Sequence, residues 1–280
     1  MNAPLTVRVD GAASGLLDAR DRGLHYGDGL FETIACRAGR ARFLDLHLER
    51  LTHGCARLGI LLPDIAQLTA QISELAATQP ACIIKLIVTR GSATARGYGA
   101  HGDEHSRTVL LQYEWPPEDP ACWAQGVSVR TARGRWGENP ALAGLKHLNR
   151  LEQVLIRGEW TDPAIAEALV FSSSGWLVSG TMSNVFLVRE GRIMTPAITG
   201  AGVHGVMRRI VMREAQRTGL AVIETTLDAA ALAAAEELFL TNARMGIWPV
   251  RSLDGTARAV GPVTRQLQEL LLPLLEPAHA

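Results

Sequence analysis

Three prolines divide the chain: Pro116, Pro117 and Pro120 in the run PPEDPA. Proline fixes φ and carries no backbone N–H, so such a run cannot sit in a central strand. Apolar, strand-like runs stand on both sides of it, at residues 81–89 (ACIIKLIVT) and 108–115 (TVLLQYEW) before and at 126–131 after. The chain therefore reads as two α/β parts, residues 1–115 and 123–280, joined by a linker at 116–122. With 280 residues it can bury a sizeable core without disulfide or metal staples.

The patterns within each part are those of a mixed α/β protein. Residues 4–9 alternate like a strand, and Asp10-Gly11 is a turn signal. Leu44, Leu48, Leu51, Cys55 and Leu58 keep a helical stripe over 44–60. A second helix is expected after Pro63, with Asp64 as N-cap and Ile65, Leu68, Ile72 and Leu75 on one face. In the second part, strands are expected at 126–131, 167–172, 184–189, 221–226 and 236–241. Helices are expected at 147–159, 205–218 and 261–275, with Pro262 in the first turn of the last.

Several function classes are disfavoured. Lys+Arg 28 against Asp+Glu 28 leaves no basic surplus to hold a nucleic-acid backbone. The apolar runs are too short for a bilayer span, and the first residues lack the basic and apolar regions of a secretory signal. The expectation is a cytoplasmic protein with no membrane or nucleic-acid partner. Cys36, Cys55, Cys82 and Cys122 form no CxxC and read as scattered buried thiols, not as a zinc site. Gly97-x-Gly99-x-x-Gly102 spells a dinucleotide fingerprint, but the residues that follow read as a loop and a strand, where that reading needs a helix. His101 and His105 have i,i+4 spacing, yet glycines and the missing apolar face argue against a helix, so no metal is expected. Ser172-Ser173-Ser174-Gly175 reads as a turn.

Only two of the 28 basic side chains are lysines, Lys85 and Lys146. Chemistry that needs an amine has just these candidates. Lys146 falls at a loop-to-helix junction with apolar neighbours on both sides. Desolvation there would favour the neutral amine, a nucleophile or base; the alternative is a surface lysine at a helix start. Lys85 lies mid-strand opposite its apolar neighbours and reads as a structural lysine with its head in water. Arg50 falls on the polar face of the first long helix with His47 and Arg57, and alone it reads as a solvated arginine.

An ordered set of segments adds to this reading. Residues 21–32 are DRGLHYGDGLFE, followed by His47-Leu-Glu-Arg50-Leu51, then Arg90-Gly91 and Arg96-Gly97-Tyr98. Residues 144–157 are GLKHLNRLEQVLIR. Gly180-Thr181-Met182-Ser183-Asn184-Val185-Phe186, Ile193-Met-Thr195, Val203-His-Gly205-Val206-Met207-Arg208 and Thr241-Asn242-Ala243 complete the series. In order and spacing these resemble the 4-amino-4-deoxychorismate lyases across essentially the whole chain. These are fold-type IV pyridoxal-phosphate enzymes, relatives of the branched-chain and D-amino-acid aminotransferases.

The resemblance implies a two-domain α/β fold with pyridoxal 5'-phosphate at the domain interface. It implies that Lys146, in the second domain, forms the Schiff base and then moves protons. Arg50 would grip the phosphate, helped by backbone N–H groups of Gly205, Val206 and Met207 at a helix start. Ser179, Thr181, Asn242 and Ala243 would complete the cofactor site. Tyr26, Phe31, Arg96 and Tyr98 would meet substrate, with Arg96 the first choice for a carboxylate and Arg244 a second; for the aromatics, core packing is the alternative. A homodimer is implied, with a neighbour's loop closing the site.

One position departs from the family pattern. A glutamate that pairs with the pyridine nitrogen normally stands where this chain has Ser179. A serine can hydrogen-bond that nitrogen but cannot hold it protonated by charge. That weakens the electron sink, which disfavours transamination more than a cleavage driven by aromatisation. The expected activity is conversion of 4-amino-4-deoxychorismate to 4-aminobenzoate and pyruvate, in folate biosynthesis. The alternatives are a D-amino-acid or branched-chain aminotransferase, and a cofactor-binding remnant with no catalysis.

Overall fold

The computed structural model describes residues 3–92, 97–100, 102 and 104–276. Its contacts form two units. The first comprises the described residues up to Pro116 together with Leu145–Asn149; the second comprises Pro117–Gly144 and Arg150–Glu276.

The first unit holds β1 (Thr6–Val9), α1 (Arg22–Tyr26), β2 (Gly29–Arg37), β3 (Arg40–Ala41), α2 (Leu44–Leu58), α3 (Ile65–Ala77), β4 (Ala81–Thr89) and β5 (Arg107–Glu114). Its antiparallel sheet has the order β1-β5-β4-β2-β3. Alternation gives this sheet two unlike faces. Ile84, Leu86 and Val88 of β4 and Leu30 and Ile34 of β2 are buried on the face that packs α2 and α3. Phe31, Thr33, Lys85 and Ile87 alternate to the other face and are only half-buried. Asp64 caps α3 as its sequence predicts, accepting from the Gln67 N–H. Cys36 and Cys82, two of the scattered thiols, are buried directly opposite each other on β2 and β4.

The first element of the second unit is α4 (Pro120–Ala124), a short helix that overlaps the end of the expected linker. Then come β6 (Val127–Trp136), α5 (Leu151–Arg157), β7 (Ile165–Ser172), β8 (Leu177–Gly180), β9 (Asn184–Arg189), β10 (Arg192–Pro196), α6 (Val206–Arg217), β11 (Val222–Thr225), α7 (Ala229–Ala233), β12 (Glu237–Asn242), β13 (Gly246–Leu253), β14 (Thr256–Ala257) and α8 (Pro262–Leu275). The main path of the sheet runs β11-β10-β9-β12-β13-β6-β7-β8, with β14 paired to β13. It mixes parallel pairs (β10 with β11, β13 with β6, β6 with β7) with antiparallel ones. Its core includes the stacked rings of Phe186 and Phe239, 4.8 Å between centroids. Among the described residues, no helix is long and apolar enough to cross a membrane.

Two local expectations are corrected. The helix expected over 147–159 begins only at Leu151, so Lys146 is not at its start. The preceding strip instead runs along β2: the Phe31 N–H donates to the Lys146 carbonyl (2.9 Å) and the Leu148 N–H to the Gly29 carbonyl (3.0 Å). For the same reason Lys146 belongs to the first unit and not to the second.

Candidate active site

In the first unit the candidate groups gather around β2. The Lys146 strip lies beside the first half of that strand, and Lys146 Nζ stands 4.2 Å from the Phe31 ring centroid. The strip is held at its far end by Asn149, whose Nδ2 donates to the Gly27 carbonyl (3.1 Å). Gly27 needs to be glycine: φ is +64°, and an added Cβ would lie 2.5 Å from Asn149 Oδ1.

Lys85 lies opposite its apolar neighbours, half-buried, as its alternation suggests. Its Nζ stands 5.3 Å from the centroid of the same Phe31 ring. Both amines of the chain therefore lie against one aromatic side chain on the half-buried face. The register explains this: Lys85 opposes Thr33, two residues along β2 from Phe31 and on the same face.

On the opposite face of β2, Glu32 is buried at 1% exposure. It accepts from Arg50 Nε (2.8 Å) and Arg50 Nη2, and from His47 Nδ1 (2.6 Å). His47 is fully buried, not on a polar helix face as its spacing implied. The i,i+3 spacing of His47 and Arg50 brings both to one carboxylate. Arg50 is thus a fixed cation in place of a solvated one, oriented through a bidentate pair. His47 Nε2 is buried without a hydrogen-bond partner.

Tyr26 and Tyr98 lie with ring centroids 5.3 Å apart, and Tyr98 is 87% exposed. Arg96 lies outside the described residues, as does His101.

In the second unit, α6 starts with Gly205 as N-cap, and no side chain caps it. The N–H groups of its first turn, at Val206, Met207 and Arg208, have no partner within the helix. Gly205 is hemmed in by Asn184: an added Cβ would meet Asn184 Oδ1 at 2.0 Å, and Asn184 Nδ2 donates to the Val203 carbonyl (2.9 Å). An uncapped helix N-terminus of this kind suits an anion.

Ser179 is buried at the end of β8, its hydroxyl donating to the Gly180 carbonyl (2.7 Å). The turn that follows is organised by Glu167, which sequence reasoning did not single out. Its carboxylate, 1% exposed, accepts from the hydroxyls of Thr181 and Ser183 and from the Met182 N–H. The available signal was one acid in an otherwise apolar strand run, IAEALVFS. Asn242 Oδ1 accepts from the Arg244 and Met245 N–H groups, which folds the turn holding Ala243. Arg244 lies 3.5 Å from a Glu118 oxygen and over the Trp248 ring.

Comparison with known proteins agrees across the chain. Residues 29–253 match the family model described as amino-transferase class IV. An aminodeoxychorismate lyase of Vibrio harveyi is 31% identical over 252 residues, covering 89% of this chain and 93% of its own. A D-alanine aminotransferase of Bacillus licheniformis is 31% identical over 264 residues, 91% of this chain and 90% of its own. A crystal structure of 4-amino-4-deoxychorismate lyase from Pseudomonas aeruginosa superposes with a TM-score of 0.91 at 44% identity, covering 95% of this chain and 97% of that one.

The Glu32 cluster has a pH signature. Burial pushes the Glu32 carboxyl up, but the charge of Arg50 and the pairing with His47 outweigh it and hold it at about 2. Burial holds His47 below the ordinary imidazole value, against the pull of Glu32. Both values are lower in the folded chain than in the unfolded one. Each group therefore takes up protons on unfolding in acid, and its stabilisation is lost as pH falls. The His47 contribution fades below about pH 6.5 and that of Glu32 from about pH 4.5 toward 2. Melting temperature should drop across this range, and Glu32→Gln should flatten the limb below about pH 4.5. Thermal melts that keep the parent's slope in that limb would remove Glu32 as its source.

Proposed function

Because the chain belongs to the amino-transferase class IV family, we propose that it is a pyridoxal-phosphate-dependent lyase. It converts 4-amino-4-deoxychorismate to 4-aminobenzoate and pyruvate, a step of folate biosynthesis, and works as a cytoplasmic homodimer. The observation that carries this reading is the placement of both lysine amines against the Phe31 ring, in a chain 44% identical in sequence to such a lyase.

The residues present fit the cofactor. They supply one amine beside an aromatic ring, one arginine fixed by a buried carboxylate, and one helix start that no side chain caps. When bound, pyridoxal phosphate supplies an aldehyde that takes up amines and a ring that draws electrons from the neighbouring carbon. On the family reading, Arg50 and the N–H groups of Gly205, Val206 and Met207 would hold the phosphate. Ser179, Thr181, Asn242 and Ala243 line the ring, with Glu167 keeping the Thr181 turn in shape.

Lys146 would hold the cofactor through its side-chain amine. Its Nζ would accept the proton from the ring carbon that bears the amino group. The C–O bond on the adjacent carbon breaks, the enolpyruvate group leaves and takes up a proton to become pyruvate, and the benzene ring formed drives the step. Tyr26, Phe31 and Tyr98 wall the substrate ring. Arg96 and Lys85 meet its two carboxylates; Lys85 takes the place first given to Arg244, whose guanidinium already lies beside Glu118 and Trp248.

The same relatives include a D-alanine aminotransferase, so transamination is the second reading. Ser179 weighs against it, since a neutral hydroxyl cannot hold a protonated ring nitrogen by charge. An aminotransferase depends on that electron sink more than a reaction that ends in an aromatic product.

Three measurements test the reading. The protein given 4-amino-4-deoxychorismate should release fluorescent 4-aminobenzoate and pyruvate in equal amounts, and Lys146→Ala should abolish both. Cofactor-loaded protein that releases neither would shift the assignment to transamination or to an inactive binder. Lys85→Met should raise KM by roughly tenfold with kcat little changed, as expected for loss of one charge-assisted contact; an unchanged KM removes Lys85 from the carboxylate site. Ser179→Glu should raise transamination relative to lyase turnover, and a constant ratio of the two would refute the account of that serine.

A further inference from the structure

We propose that Arg22 is a positioning residue that sets the shape of the substrate loop at Gly97-Tyr98-Gly99. The proposal rests on the lyase reading only in taking that loop to touch substrate.

Arg22 lies on α1 and is 4% exposed. Its guanidinium gathers three successive backbone carbonyls: Nη1 donates to Gly97 (3.1 Å) and Gly99 (3.2 Å), and Nη2 to Tyr98 (2.9 Å). Nε is occupied by Asp28 Oδ2 at 2.8 Å. The same guanidinium lies 5.0 Å from the Tyr26 ring centroid, and Tyr26 in turn contacts the Tyr98 ring. Tyr98 is itself largely exposed, so its own burial does not hold it. The loop is held through its carbonyls, by a cation it does not contain.

The clamp is seated in a second one. Asp28 also accepts from Arg90 Nε (2.8 Å) and Nη2 (3.2 Å). Arg90 reaches on to the carbonyls of Leu58 (2.7 Å) and Gly59 (2.5 Å) at the C-terminal end of α2. That helix carries His47 and Arg50. The run Arg22–Asp28–Arg90 therefore ties the loop to the helix of the phosphate arginine. Asp28 keeps its charge there: burial pushes its carboxyl up, but Arg90 and Arg22 together bring it below the usual range.

Only arginine can fill this role. A planar fork with five N–H groups reaches several carbonyls and a carboxylate at once, whereas an ammonium on a flexible stem does not. The loop conformation, and with it the Tyr26–Tyr98 pair, should depend on the fork and not merely on a positive charge.

Arg22→Lys tests this. KM for 4-amino-4-deoxychorismate should rise about tenfold with kcat within about twofold, the mark of lost substrate positioning and not lost chemistry. Affinity for pyridoxal phosphate should be unchanged. Chymotrypsin should cut after Tyr98 about tenfold faster, read on protein without substrate, since the released loop reaches the protease more often. In a Tyr98→Ala background, Arg22→Lys should add little to KM, because both changes act through the same ring. Asp28→Asn, which loosens the seat and leaves the guanidinium, should move KM and cleavage the same way by less; it serves if Arg22→Lys folds poorly. Unchanged KM and cleavage, or equal losses in kcat and cofactor affinity, would overturn the proposal. If the unaltered protein releases no 4-aminobenzoate, the lyase reading fails instead, and the cleavage rates alone decide whether Arg22 holds the loop.

Discussion

Glu32 occupies a position on β2 between Leu30 and Ile34, on the face that packs α2, where the pattern calls for an apolar side chain. A carboxylate buried there is costly unless every oxygen is paired, and removing one partner would strand a charge in the core. Here Arg50 and His47 supply the pairing. The consequence reaches beyond electrostatics. The pair orients Arg50 and draws His47 into the core beside the buried Leu48 and Leu51 of α2. The alternation of β2 then sends Phe31 to the opposite face, toward both lysines. One buried charge thus orients a cation on one side of the strand and an aromatic wall on the other.

That same residue is why β2 was hard to read. Residues 81–89 announce a strand because the segment is nearly all apolar, and β4 matches it residue for residue. β2 carries Glu32 on its buried face and glycine at its start, so neither alternation nor a continuous apolar run stands out. His47 was misplaced by the same rule in reverse, since a polar residue at a polar-looking helix position is buried only because Glu32 waits for it. Local pattern fails where one buried carboxylate gathers its partners through space. The ends of α3 and α8 were legible because Asp64 and Pro262 act locally, through their own backbones.

The segment around Lys146 shows the other kind of failure. GLKHLNRLEQVLIR has the spacing of a helix from its first residues, and the helix expected there started too early. The early residues instead give their backbone groups to Gly29 and Phe31, a partner more than a hundred residues away. No propensity scale contains that partner. The family resemblance points to Lys146 on other grounds, because it compares whole ordered segments, whereas periodicity weighs only neighbours. In the second unit, Glu167 was visible in the sequence as a lone acid in an apolar strand, but its task is set by the turn at Thr181, Met182 and Ser183 that folds onto it.

The lysine content gains a physical sense from this arrangement. With 28 basic side chains and only Lys85 and Lys146 among them as lysines, arginine does nearly all the structural work of positive charge. Arg22 and Arg90 gather carbonyls and a shared carboxylate, and Arg50 grips Glu32, tasks that use a planar fork and a charge that never leaves. Arginine cannot lose its proton in a protein and so cannot serve as an amine nucleophile or a proton shuttle. A lysine can, because its charge is removable by its surroundings. A chain that otherwise chooses arginine yet keeps two lysines, both against one phenylalanine, leaves at that ring the only side-chain amines it has whose protons can be removed.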